Sequence, residues 1–118
     1  RAEVARGVSN MAALMRGCDL AVAGAGVATL ELAFIGVPAA LVAVAPDQRR
    51  NARAMSRLGA AVNLGWHENL TPRSLARALG PLARSAARRQ ALARRASRLV
   101  DGGGVDRICA EISRRRSQ

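Results

Sequence analysis

Three short apolar runs separated by two helical segments constrain the fold of this chain more than any other feature. The runs cover residues 20–23, 39–45 and 61–64, and each has the length of a buried strand. Helical patterns fill the intervals, over residues 27–35 and 48–58. Strands and helices that alternate at this spacing are typical of right-handed βαβ units in a parallel sheet. The sequence therefore predicts an α/β fold with helices flanking a parallel sheet.

Helical signals also precede and follow this alternating region. Asn10 is a good N-cap for a first helix, whose apolar stripe is formed by Met11, Leu14, Met15 and Cys18. From residue 71 to 113 only helical patterns occur, beginning with Thr71 as a cap and Pro72 at the first helical position. Gly80 and Pro81 are expected to bend or end that helix. A last short helix is predicted from the apolar stripe Val105, Ile108, Cys109 and Ile112.

The charge is strongly basic and entirely due to arginine. The 118 residues carry a net charge of +11, and none of the 19 basic residues is lysine. This composition is typical of GC-rich coding, and the arginines of residues 73–118 avoid the apolar stripes of the predicted helices. A basic half can bind nucleic acid or anionic membrane. The single Phe and the absence of Tyr argue against nucleic acid, which stays a distant alternative.

The cysteines and the apolar runs indicate the setting in which the chain works. Cys18 and Cys109 lie on apolar helical stripes without a second Cys or a His at metal-binding spacing. They are predicted to be buried thiols in a reducing cytoplasm, with neither a disulfide nor a metal site. No run reaches the roughly eighteen apolar residues of a membrane span, so stable membrane insertion is not expected.

A loop of small residues between the first strand and the following helix is the first candidate binding site. Small residues let a ligand approach the backbone, and a helix N-terminus offers free N–H groups to phosphate. A hydroxyl at the end of the loop can donate to a phosphate oxygen. The loop lacks the Lys of a Walker motif and the third Gly of the dinucleotide motif, and a tight turn without a ligand is the alternative. Its residues are Gly24, Ala25, Gly26, Val27, Ala28 and Thr29.

Three polar side chains near this loop are further candidates. Glu31 is a lone carboxylate among apolar residues, and it can accept hydrogen bonds from a ribose diol or complement the helix dipole. Gln48 and Asn51 lie one turn apart at the start of the next helix, where their amides can bind sugar hydroxyls. Asp47 is predicted to cap that helix.

No catalytic residue is assigned from the sequence. His67 is the only histidine, and it has no Ser, Cys or metal-ligand partner at a recognisable spacing. It is interpreted as a surface residue, and the adjacent Trp66 as a packing residue.

The motifs in their order resemble one bacterial family. Residues 11–21 resemble its M-x-x-L-M-x-x-A-D-L-A segment, and residues 24–31 its Gly-rich loop ending in Glu. Residues 36–38 resemble its G-x-P turn, residues 47–61 its N-Q…A…G-A-A segment and residues 99–102 its L-V-D-G ending. The family comprises the UDP-sugar hydrolases of pseudaminic acid biosynthesis, often labelled predicted spore-coat-type glycosyltransferases. It is related to the peptidoglycan N-acetylglucosaminyltransferase.

The resemblance implies the C-terminal half of a glycosyltransferase-B fold, with residues 1–118 as one Rossmann-like UDP-sugar-binding domain. It implies the 24–29 loop at the diphosphate, Glu31 at the ribose and Gln48 near the diphosphate or the sugar, without a cofactor. The catalytic base is expected in an N-terminal domain, and the start at Arg1 is read as a truncation, so the chain alone is expected to bind without turnover. The expected reaction releases UDP from a UDP-linked deoxy amino sugar during nonulosonic acid synthesis. Sugar transfer from a UDP-sugar donor is the alternative.

Several residues depart from the family pattern. Val27 and Ala28 stand where the family commonly has Ser and Thr, and Leu30 where it commonly has Trp. Asp47 replaces a common Asn, and its carboxylate near a diphosphate would repel the ligand. These differences leave the substrate open.

Overall fold

The computed structural model describes residues 1–118 and contains one parallel sheet of three strands. The strands are β1 (Ala21–Gly24), β2 (Ala39–Ala43) and β3 (Val62–Trp66), in the order β1-β2-β3. Ala21 pairs with Ala39, and Ala40 pairs with Val62. The predicted α/β fold with a parallel, Rossmann-like sheet is confirmed. All three strands end at the same edge, which is where open α/β sheets bind ligands.

The helices that precede and connect the strands begin and end close to the predicted positions. They are α1 (Met11–Arg16), α2 (Ala28–Ile35) and α3 (Gln48–Arg57). Asn10 Oδ1 accepts a hydrogen bond of 3.0 Å from the N–H of Ala13, so the predicted N-cap of α1 is confirmed. The predicted cap of α3 is wrong. Asp47 has helical backbone angles and its side chain makes no capping hydrogen bond, because an Ncap carboxylate needs an extended backbone to reach back.

The core lies between the sheet and the helices and consists mainly of alanine. Its main cluster contains Ala25, Leu32, Val37, Ala39, Leu41, Ala52 and Ala61. β2 has Ala40 and Leu41 fully buried on opposite faces, as expected for the central strand of a covered sheet. A second cluster of Ala33, Ala60 and Ala96 joins α2 to the C-terminal helices. Small side chains hold the elements close together, which keeps the loop after β1 near α3.

The C-terminal region is helical, with α4 (Pro72–Arg84), α5 (Ala86–Leu99) and α6 (Gly104–Arg116). A capping box between Thr71 and Ser74 starts α4, which confirms the predicted cap. Of the two outcomes expected at residues 80–81, an end of the helix is wrong, because α4 continues through Pro81 to Arg84. Leu82 is only 5% exposed. Its burial stabilises the continuous helix and outweighs the loss of the backbone hydrogen bond that Pro81 cannot donate.

Several residues predicted to be buried are exposed. Both cysteines are exposed free thiols, and α1 and α6 contain no buried residue. The stripe of α6 is the clearest case, with Val105, Ile108 and Ile112 exposed by 72%, 62% and 54%. The helical periodicity is present in both helices. Met15 of α1 packs against the main core cluster, whereas the stripe of α6 stays exposed. None of the helices has the length and apolar character needed to cross a membrane.

Candidate functional site

The small-residue loop at the end of β1 presents free backbone donors. Ala25 is fully buried, and its N–H donates to the carbonyl of Val42 at 2.9 Å, which extends the β1–β2 pairing by one residue. The next two N–H groups, those of Gly26 and Val27, make no hydrogen bond within the chain. They lie directly before α2, so their positive ends add to the helix dipole. Such an arrangement binds anions.

Two amide side chains of α3 reach this loop, as the sequence predicts. Asn51 Nδ2 donates to the carbonyl of Ala25 at 3.1 Å. Gln48 Oε1 accepts from the N–H of Val44 at 3.0 Å. These bonds fix both side chains and leave Nε2 of Gln48 and Oδ1 of Asn51 for other partners. A Cβ placed on Gly26 would lie 3.3 Å from Gln48 Nε2, so this close approach favours glycine.

Thr29 contributes a buried hydroxyl without a partner. The residue is 4% exposed, and its Oγ1 has no hydrogen bond in the chain. A buried hydroxyl left unpaired costs about 1–3 kcal/mol. Thr29 lines a cavity of about 320 Å³ whose walls are completed by Gly26, Val27, Leu30, Asp47, Asn51, Ala54 and Met55. Oγ1 itself is shielded from solvent, so a ligand oxygen in this cavity would reach it after a change of the side-chain rotamer.

Some of the predicted site residues line one cavity at the loop, and others do not. Gly26, Val27, Thr29 and Asn51 line one cavity. Glu31 does not line it; its side chain is exposed and makes no hydrogen bond or ion pair, which leaves the carboxylate free. Asp47 lines the cavity instead and brings a negative charge close to the anion-binding loop. No cluster of three or more His, Cys, Asp or Glu side chains could hold a metal ion.

A further set of polar residues includes arginines of α3. From the sequence, Arg49, Arg50 and Arg53 could pair with phosphate, but solvated positions are the favoured interpretation. Trp66, interpreted from the sequence as a packing residue, lines a second cavity at the ends of β2 and β3 together with arginines of α3. The spacing of Arg49 and Arg53, four residues apart on one helix, is the signal in the sequence that could have indicated it. His67 begins the short 3-10 helix His67–Asn69 and is exposed, as predicted.

Comparison with known proteins identifies the family. Residues 2–103 match the family described as Glycosyltransferase family 28 C-terminal domain. The chain belongs to this glycosyltransferase family. The fold agrees, because three parallel strands with flanking helices are what a C-terminal domain of the glycosyltransferase-B type contains. No solved structure matches the chain.

Two curated relatives show which proteins this family 28 domain is similar to. The chain is 30% identical over 102 residues to the spore coat polysaccharide biosynthesis protein SpsG of Bacillus subtilis (strain 168), which covers 86% of this chain. It is 37% identical over 117 residues, covering 92% of the chain, to the UDP-N-acetylglucosamine–N-acetylmuramyl-(pentapeptide) pyrophosphoryl-undecaprenol N-acetylglucosamine transferase of Anaeromyxobacter sp. (strain K). In each case the match spans 30% of the relative.

Proposed function

We propose that this chain is the nucleotide-sugar-binding half of a glycosyltransferase and that it holds the UDP part of the donor. One observation carries the proposal: the free N–H groups of Gly26 and Val27 lie beside the unpartnered hydroxyl of Thr29, at the end of a parallel strand. Free amide donors at a helix N-terminus suit a diphosphate. The relatives support the donor class, since a transferase named for UDP-N-acetylglucosamine is among them.

Each candidate residue has a role in this proposal. The N–H groups of Gly26 and Val27 bind a phosphate oxygen, and Thr29 Oγ1 donates to the same group. Ala25 and Ala28 keep the loop narrow, Gly26 lets Gln48 lie close to it, and Gly24 ends the strand that leads into it. Nε2 of Gln48 donates to the diphosphate or the sugar, Oδ1 of Asn51 accepts from a sugar hydroxyl, and Glu31 accepts from the ribose diol.

The chemical contribution of such a site is to stabilise the leaving group. When the bond between the sugar and the diphosphate breaks, negative charge builds up on the departing UDP. Fixed N–H donors at that position lower the energy of the transition state without reorganising. The single histidine, His67, lies beyond β3 and does not line the cavity, and we assign no general-base role to Asp47 at its wall. The acceptor and any base are therefore assigned to an N-terminal domain of the whole protein.

The relatives favour sugar transfer over hydrolysis. The Anaeromyxobacter relative is named a transferase, and neither it nor the Bacillus relative is named a hydrolase. Release of a deoxy amino sugar from UDP, expected from the resemblance to the pseudaminic acid enzymes, would use the same binding residues with water as the acceptor. UDP release by the whole protein separates the two reactions: a transferase needs a sugar acceptor for turnover, whereas a hydrolase does not.

The binding proposal is tested by calorimetric titration of the 118-residue chain with UDP. Thr29→Val keeps the side-chain volume and removes the hydroxyl. We expect about tenfold weaker UDP binding, which corresponds to one lost hydrogen bond to a charged group. The same variant should be at least as stable as the parent without ligand, because it removes a buried unpaired group. A loss of affinity together with a loss of stability would indicate a packing defect instead.

A second pair of variants tests the ribose assignment. Glu31→Ala should weaken UDP binding, because Glu31 lies in the first turn of α2 beside the loop. Glu68→Ala removes another exposed carboxylate, in the 3-10 helix after β3, and should leave binding unchanged. Equal effects of the two variants would mean that only the net charge matters. Absence of saturable UDP binding by a chain that shows cooperative unfolding would overturn the nucleotide proposal.

A further inference from the structure

A second cavity, of about 290 Å³, opens at the carboxyl ends of β2 and β3. Its walls share no residue with the cavity at the β1 loop. The lining is mostly polar and consists of Ala43, Arg49, Arg53, Asn63, Gly65, Trp66 and Asn69. No acidic side chain lines it, so its charge is positive.

The two arginines of this cavity have no acidic partner. The three ion pairs of the chain all lie between residues 101 and 115, in and just before α6. Arg49 and Arg53 therefore face the same space as two uncompensated cations, one helical turn apart. Like charges at this spacing destabilise a helix by a few tenths of a kcal/mol, and an anion bound between them would remove that cost.

Trp66 holds one of these cations in place. The guanidinium of Arg49 lies 4.3 Å from the centre of the indole ring, within the range of a cation–π interaction. The ring of His67 lies 4.5 Å from the indole and is tilted by 58°, which fixes the indole from a second side. A guanidinium held before the ligand arrives loses less conformational entropy on binding.

A bulge in β3 accompanies the side-chain amide of Asn63, which lines this cavity. Leu41 pairs with Asn63, but the next residue, Val42, pairs with Gly65, so that Leu64 is left out of the ladder. Asn63 Oδ1 accepts from the N–H of Gly65 at 2.9 Å. This bond uses the carbonyl oxygen of the amide and leaves its NH₂ group free to donate. Bulges of this kind are frequent next to functional sites.

We infer that this second cavity binds a soluble, phosphate-bearing anion of the size of a diphosphate, separately from the UDP site. The cavity supplies two guanidinium groups and an amide NH₂ group, and guanidinium forks match phosphate oxygens in a bidentate way. Its volume equals about ten water molecules at roughly 30 Å³ each, which accommodates a diphosphate. The inference rests on residues that the proposed UDP site does not use, so either can fail alone.

The chain contains its own reporter for this site, because Trp66 is its only tryptophan. The experiment is a fluorescence titration of the 118-residue chain with pyrophosphate at constant ionic strength, with sodium chloride as the reference salt. We expect a saturable change in the Trp66 emission. Arg53→Gln should raise the apparent dissociation constant about tenfold, the effect of one lost charged hydrogen bond. Arg50→Gln makes the same charge change on the same helix, outside the cavity lining, and should have no effect.

Control measurements distinguish anion binding in this cavity from a general charge effect and from binding at the UDP site. Circular dichroism melts establish that both arginine variants fold, and calorimetry with UDP should give the parent affinity for Arg53→Gln. Equal effects of Arg53→Gln and Arg50→Gln, or a change that sodium chloride reproduces, would overturn the inference. So would pyrophosphate binding that Thr29→Val abolishes and Arg53→Gln does not. Binding to phosphatidylglycerol vesicles without any response to pyrophosphate would also overturn it, because the anion would then be part of a lipid surface.

Discussion

At the scale of single residues, Asp101 is one of two carboxylates in the chain that accept several hydrogen bonds; the other is Glu111. Nη1 of Arg107 donates to both oxygens of Asp101, at 3.0 and 2.8 Å, and the N–H of Gly103 donates to Oδ1 at 2.9 Å. The hydrogen bond from Arg107, followed by that from Gly103, holds the pKa of Asp101 below its ordinary value of 3.8. These bonds connect the turn after α5 to the first turns of α6.

A pH dependence of stability follows from this lowered pKa. Asp101 contributes stability that is fully present above the pKa of the unfolded chain and is lost as the pH falls through the lower pKa of the folded chain. We expect Asp101→Asn to lower the melting temperature at pH 6, with a difference from the parent that shrinks as the pH falls below about 4. Melts followed by circular dichroism from pH 6 to pH 2 measure this difference.

The matched control is Asp106→Asn, since Asp106 lies five residues from Asp101, in the first turn of α6, and forms no ion pair. It should retain the pH dependence of the parent. A difference between Asp101→Asn and the parent that stays constant down to pH 2 would contradict the assignment.

Some contacts between residues could be predicted from local chemistry, whereas the burial of side chains could not. Asn10 and Thr71 precede helical patterns, and a polar side chain there has one obvious partner within three residues. The positions of Gln48 and Asn51 at the strand ends follow from their spacing. The exposure of Cys18 and Cys109 depends on what packs against a helix stripe, and no local pattern contains that information.

At the scale of elements, the end of α2 depends on Gly36. This residue has φ 84° in the left-handed region, and a Cβ placed on it would meet nothing within 4 Å. Gly36→Ala therefore tests the backbone strain alone. We expect it to lower the free energy of unfolding by about 1 kcal/mol, measured by urea denaturation.

Gly104→Ala is the control for this substitution. A Cβ at Gly104 also meets nothing within 4 Å, and its φ is not positive. Since Gly104 is the first residue of α6, alanine there should leave the stability unchanged or raise it slightly. Equal destabilisation by both variants would exclude left-handed strain as the cause.

The elements themselves were predictable because their signals are periodic and their ends are marked. Strands β1 and β2 lie between a helix and a glycine or proline turn, and the apolar runs fixed them within one or two residues. Pro81 is an expected end signal that did not end its helix. The hydrogen bond lost with its missing N–H costs less free energy than the burial of Leu82 in α4 contributes. The bulge at Leu64 was not predicted, although the adjacent Gly65, with φ 91°, is the kind of strand glycine that accompanies a bulge.

At the scale of the whole molecule, β1 and β3 are both edge strands of the sheet, and exposed apolar side chains lie beside the β1 edge. β1 pairs only with β2, and Val22 in its middle is 53% exposed. On the neighbouring α2, Leu30 and Phe34 are 55% and 57% exposed. A strand with one unpaired edge, flanked by exposed apolar residues of this kind, tends to associate with other molecules.

The net charge of +11 opposes that association, and the two effects differ in their response to salt. The Debye length is about 30 Å at 0.01 M salt and about 8 Å at 0.15 M, so added salt removes the repulsion and leaves the apolar attraction. We therefore expect the chain to be monomeric at low ionic strength and to associate as sodium chloride is added, measured by sedimentation velocity.

Val22→Thr combined with Leu30→Gln should reduce association at 0.15 M salt. The control pair Val105→Thr with Ile108→Gln changes residues of α6 that are even more exposed than Val22 and Leu30, far along the chain from the β1 edge. If the control pair reduced association as much as the first pair, or if salt dispersed the oligomers, the β1 edge would not be the surface through which the molecules associate.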